Sequence, residues 1–239
     1  MTDDGLRAAA WHALSTVSDP ELDEPITDLG FVAELTVDDD RAACVLRLPT
    51  YFCAPNFAYL MVADAYDALA AVPGVERVQV RLDDHFASEE INAGVAAEFG
   101  FADTFAGLAD GELADLRQAF RRKAHLAAVD RVCGGLRADG WSVEELARLR
   151  LRDVPQSEDR ERLCRRRRDL GLPAGPDDHL LVEDDGRPLA ADELPAHLRF
   201  AQVVRVSIDG NAGFCRGLLR TRYGDDETLR SELKGGTTR

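Results

Sequence analysis

Apolar residues near the start of the chain recur at helical spacing. Leu6, Ala9, Ala10, Ala13, Leu14 and Val17 share one face, which predicts a helix over residues 5–17. Ser18-Asp19-Pro20 ends it, because the residue before a proline is pushed out of the α region. The period then changes from helical to alternating. Phe31, Ala33, Leu35 and Val37 fall on one face of a first strand, Asp38-Asp39-Asp40 supplies a turn, and Ala42, Cys44, Leu46 and Leu48 face inward on a second. Two alternating runs around three turn formers predict a hairpin. From Pro55 to Val72 the helical period returns, with Phe57, Leu60, Met61, Ala65, Ala68, Leu69 and Val72 in register. Pro55 suits a first helical turn and Pro73-Gly74 a stop. A third strand over residues 75–82 turns Val78, Val80 and Leu82 to the core. The order α-β-β-α-β predicts an α+β domain, a small sheet covered by helices.

The remainder reads as helices first and a mixture afterwards. A short helix from Ser88 towards Phe101 leads out of the first domain. Leu113, Leu116, Phe120, Ala124, Ala127 and Ala128 predict a helix over 111–133, stopped by Gly134-Gly135. Ser142-x-x-Glu145 is a capping box opening a second helix to about Leu149, and Ser157 opens a third to Leu170. Beyond Gly171 the pattern predicts a small hairpin around Asp184-Asp185-Gly186 and a short helix over Leu194–Phe200. A further hairpin is expected with Asp209-Gly210-Asn211 at its tip.

Charge divides the chain in the same way. Residues 1–110 hold 21 Asp and Glu against five Arg, a net of −16, and the rest is close to neutral, so the total is −15. With the change of pattern this predicts a domain over 1–105 and an accessory domain over 106–239. The acidic part repels nucleic acid, and the basic runs at 121–123 and 160–168 lie in a region without net positive charge, so no nucleic-acid partner is expected. No stretch approaches eighteen apolar residues, and the acidic N-terminus lacks the basic start of a secretory signal. A cytoplasmic protein without a membrane span is the expectation.

The five cysteines (44, 53, 133, 164 and 215) are odd in number, widely spaced and without a C-x-x-C pair. That argues against a disulfide framework and a closed zinc site. Cys53 stands apart from the others. It lies between a strand and the turn that opens a helix, where backbone N–H groups and the helix dipole favour a thiolate. Thiolate is the form that binds soft metals and iron–sulfur clusters.

Asp19-Pro20-Glu21, Ile26-x-Asp28-Leu29-Gly30-Phe31-Val32, the hairpin, Thr50 three residues before Cys53, and Pro73-Gly74-Val75-x-x-Val78-x-Val80 follow one another in order. This series resembles the metal–sulfur cluster assembly factors, the PaaD/SufT-like domain, over roughly residues 6–85. The resemblance implies that Cys53 is the reactive cysteine and that Asp19 and Glu21 stand in the family's acidic motif. Where the family has Thr-x-Pro-Gly-Cys-Pro, this chain has Tyr51-Phe52 before Cys53 and its proline one residue later, at Pro55. The implied role is assembly or delivery of an iron–sulfur or iron centre to a client enzyme, without catalysis by the chain itself. One cysteine cannot hold a cluster alone, so the cargo would be transient and shared, within a homodimer or with a client metalloenzyme or carrier protein.

Plainer readings stand beside these. Cys53 has the alternative of a small buried hydrophobe, and Asp19 that of a carboxylate satisfying turn N–H groups. Asp28 before Leu29-Gly30 reads as an Asx-type turn. His85, after Asp83-Asp84, is either a metal ligand or a solvent-exposed loop histidine. Tyr51, Phe52 and Phe101 offer partner-binding surface, although Phe99, Phe101 and Phe105 equally serve to staple the two domains. An adaptor that holds a multisubunit metalloenzyme such as an oxygenase, without metal chemistry, is the second functional class. An enzyme with Cys53 as nucleophile and His85 as base is the third. Cys133 and Cys215 could each serve as ligands but lie in unrelated contexts, and Cys164 falls on the helix from Ser157 to Leu170.

Overall fold

The computed structural model describes residues 3–97, 104 and 110–224. In order, its elements are α1 (Asp3–Leu14), α2 (Ile26–Leu29), β1 (Val32–Asp38), β2 (Arg41–Arg47), α3 (Pro55–Ala70), β3 (Arg77–Asp83) and α4 (Ser88–Ala96). These are followed by α5 (Asp110–Ala138), α6 (Val143–Leu146), a 3-10 turn (Leu151–Asp153), α7 (Glu158–Asp169) and α8 (Leu194–Tyr223). The fold is α+β, with an α-β-β-α-β N-terminal part and a mostly helical remainder.

The described residues form two compact units, one from the residues up to Ala114 together with those from Asn211 on, the other from Asp115–Gly210. Relative to a division at residue 105, the end of α8 groups with the first unit.

In the first unit β1 and β2 form an antiparallel hairpin, and β3 pairs with β2 in parallel to give the order β1-β2-β3. The inward residues Ala42, Cys44 and Leu46 of β2 are buried as their alternation predicts, as are Val80 and Leu82 of β3. β1 departs from strict alternation. A bulge between Val32 and Glu34 buries Phe31, Val32 and Leu35 and leaves Ala33 half-buried. α1 packs on α3 and β1, and α3 on β3. Asp28 is exposed within the one-turn helix α2 rather than making an Asx turn. Gly30, at φ 80°, closes that helix in the left-handed conformation.

The parallel pairing has a direct consequence for the site. Arg47 and Asp83 are partners at the carboxyl ends of β2 and β3, so the segments that leave these strands, 48–54 and 84–87, emerge side by side.

The second unit has its own core, built from Val129, Val132, Cys133 and Leu136 of α5, Leu146, Leu163, and Leu194 and Leu198 of α8. Its helix starts follow the predicted caps. The Ser142 hydroxyl accepts from the Glu145 N–H while the Glu145 carboxylate accepts from the Ser142 N–H, and Ser157 caps α7. Three expectations are corrected. α5 runs through Gly134-Gly135 to Ala138, and the hairpin expected with Asp209-Gly210-Asn211 at its tip is replaced by helix, because α8 continues unbroken through those residues to Tyr223. The hairpin expected near residue 185 is reduced to a single bridge between Val182 and Pro188. Among the described residues no helix is long and apolar enough to cross a membrane.

Candidate functional site

Cys53 lies in the segment leaving β2, two residues before α3 begins at Pro55. The turn is built by Thr50, whose hydroxyl accepts from the Phe52 N–H at 3.2 Å and lies 3.3 Å from Cys53 Sγ. That hydroxyl can donate to a sulfur lone pair or accept from the S–H. Cys53 is half-buried. Its bulky neighbours do not seal it, since Tyr51 is 44% and Phe52 77% exposed.

His85 is neither an exposed loop histidine nor a side chain with a free ring nitrogen. It is 4% exposed, Nε2–H donates to the Cys53 carbonyl at 2.7 Å, and Nδ1 accepts from the Ala87 N–H at 3.2 Å. The acceptor role of Nδ1 assigns the Nε2–H tautomer. Burial lowers the imidazole pKa, overcoming the opposite pull of the Cys53 carbonyl, so the ring is held neutral. His85 thus fixes the backbone on which the cysteine sits. A second link joins the two segments: the Phe86 N–H donates to the Tyr51 carbonyl at 3.1 Å.

Phe86 was not singled out in the sequence, yet it is 47% exposed and completes an aromatic cluster with Tyr51 and Phe52. The centroid separations are 5.1 Å for Tyr51–Phe52, 6.4 Å for Tyr51–Phe86 and 6.0 Å for Phe52–Phe86. Its only sequence signal is adjacency to His85, and only the parallel register turns that into proximity to Tyr51. Phe99, Phe101 and Phe105 lie outside the described residues.

Asp19 is buried, and its Oδ1 accepts from the N–H groups of Glu21 at 2.8 Å and Leu22 at 2.9 Å. The structure therefore gives it the turn-building part that its sequence context allowed. Burial raises its pKa to about 6 even though both N–H groups pull it down. Glu21 is half-buried in the same loop, where its carboxylate accepts from Asn211 at 3.5 Å. Among the described residues no three His, Cys, Asp or Glu side chains are grouped to hold a metal ion. Cys44 and Cys133 are sealed in the two cores, and burial pushes both thiols up to about 12. They are packing residues. Cys164 is half-buried on α7 of the second unit.

The comparison with known proteins bears on this arrangement. Residues 7–81 match the family described as iron-sulfur cluster assembly protein. Over 82 residues the chain is 32% identical to the uncharacterized protein MJ1129 of Methanocaldococcus jannaschii, spanning 34% of this chain and 84% of that protein. Through this N-terminal third, the chain belongs to the iron–sulfur cluster assembly protein family. The assembly domain contains Asp19, Glu21, Thr50 and Cys53, whereas His85, Phe86 and the helix α8 lie beyond the matched residues.

Proposed function

We propose that this assembly protein is a non-enzymatic maturation factor that uses Cys53 to take up and pass on an iron–sulfur cluster or iron to a client metalloenzyme or carrier. The observation that carries the proposal is the setting of Cys53. It is a half-buried thiol beside a hydroxyl, on backbone held by a buried neutral histidine and flanked by exposed aromatic rings. Rigid presentation suits a ligand that must meet a partner's ligands at a shared centre, because little ordering is left for the moment of docking. Such a thiol binds its cargo on losing its proton. The cargo is held transiently, bridged to a partner or to a second copy of the chain. Tyr51, Phe52 and Phe86 provide the apolar contact for that partner, consistent with the enrichment of aromatic residues at interface centres.

Replacing Cys53 by Ala abolishes client activation in a reconstituted maturation assay, while Phe52→Ser weakens it and leaves metal uptake by the isolated chain intact. The exposed aromatic cluster also favours a second reading, an adaptor that holds its client without metal chemistry. Full client maturation by the Cys53→Ala protein would select that adaptor.

A further inference from the structure

The helical segment from Asn211 to Tyr223 belongs to the first unit and carries Cys215. Ala212 and Leu219 are buried in that unit's core, and Cys215 lies between them at helical spacing. It is half-buried against the same core cluster that Cys53 touches. Polar contacts pin the segment on either side of it. Asn211 Nδ2 donates to Glu21 Oε1 at 3.5 Å and Arg216 is ion-paired with Glu24, both acceptors belonging to the loop that begins at Asp19. At the other end Arg222 donates to the carbonyls of Leu48 at 3.2 Å and Asp84 at 2.7 Å, and the Tyr223 hydroxyl donates to Asp84 Oδ2 at 2.8 Å. Leu48 and Asp84 open the two segments that hold Cys53 and His85. Cys215 is thereby fixed between the Asp19 loop and the Cys53 turn.

We infer that Cys53 and Cys215 form a two-thiol site for a thiophilic metal ion or one iron of a cluster, the second sulfur being supplied by the end of α8. The inference rests on the proposed cargo role of Cys53. Asp19, Cys53 and Glu21 are the ionisable neighbours that act on Cys215, so the two sulfurs share one small region at the meeting of the Asp19 loop and the end of α8. The carboxylates of Asp19 and Glu21 beside this region attract an incoming cation. Binding a divalent ion breaks two S–H bonds, forms two metal–sulfur bonds and releases two protons to solvent, with no change of oxidation state. Two sulfurs fill half of a four-coordinate site and leave two positions for the ligands of an acceptor protein, which suits cargo in transit.

The test is anaerobic titration of the reduced full-length chain with Co²⁺, following thiolate-to-cobalt charge transfer and proton release. Cys53→Ser and Cys215→Ser are each expected to halve the charge-transfer amplitude and to weaken apparent affinity by roughly tenfold or more. Cys164→Ser is expected to match the unaltered chain. Wild-type amplitude and affinity in Cys215→Ser, with loss only in Cys53→Ser, would overturn the second thiol and leave the Cys53 role standing. Wild-type behaviour in both variants would overturn both. A measurement without variants guards against misfolding. Phenylarsine oxide, which bridges paired thiols, is expected to protect Cys53 and Cys215 together from alkylation, and continued labelling of either overturns the pair.

Discussion

At Asp19 burial and hydrogen bonding act in opposite directions, and burial wins. With a pKa of about 6 against 3.8 for the free side chain, the folded state holds a proton that the unfolded state has lost between these two values. Its ionisation therefore costs no stability below pH 3.8, an increasing amount from there to pH 6, and the full amount above. The shift corresponds to about 3 kcal/mol. Asp19→Asn keeps an oxygen for the Glu21 and Leu22 N–H groups, so it is expected to raise the urea midpoint at pH 7.5 and to lose that advantage near pH 4. An equal effect at both pH values contradicts the assignment. His85 acts through hydrogen bonds instead. His85→Ala leaves the Cys53 carbonyl and the Ala87 N–H without their imidazole partner, at a cost of about 1–3 kcal/mol in urea unfolding. Alkylation of Cys53 in that variant should also change rate, because the turn is no longer held.

Among the elements, α8 shows how much the pattern of residues disclosed and how much it hid. Leu194, Leu198, Ala201, Arg205, Ile208, Ala212, Cys215, Leu219 and Arg222 alternate steps of four and three, a helical repeat that outlasts every local interruption. Asp209-Gly210-Asn211 is a strong hairpin signal in isolation, and it loses to that repeat because the buried residues on either side keep a single face. Gly210 and Gly213 are helical, and a Cβ at either meets open space. Gly210→Ala and Gly213→Ala are each expected to stabilise by about 0.5–1 kcal/mol, measured by urea unfolding. Destabilisation would argue against a continuous helix. The first domain was legible because each of its elements has a clean period and a clear stop. The Cys53–His85 contact was half legible: both residues stood out, but their meeting depends on the parallel pairing of β2 with β3, a long-range fact with no local signal. The tie between the helix that carries Cys215 and the first unit was hidden for the same reason as α8, since a hairpin around residues 209–211 gives that segment no link to the Asp19 loop.

For the molecule as a whole, acid is the natural stress. The pKa values of His85, His125 and His197 are all lowered by burial, that of His125 to about 3. Below about pH 6.5 the unfolded chain binds protons that the folded imidazoles refuse, so these groups make stability fall as the pH drops from 6.5. The urea midpoint is expected to be lower at pH 5 than at pH 7.5, and His125→Leu to flatten that dependence. A dependence unchanged by His125→Leu would remove this residue from the account. The acidity of residues 1–110 belongs to the same scale. The family's assembly domain sits inside that region and is itself net negative, which attracts cations. The proposed function depends on the thiol of Cys53 taking up iron–sulfur cargo. The most direct measurement offers a preassembled cluster to the reduced, full-length chain under anaerobic conditions and counts the iron retained and its visible absorption against Cys53→Ala. Retention by the unaltered chain and its loss in the variant is the predicted result, whereas equal retention by both, or by neither, contradicts the account.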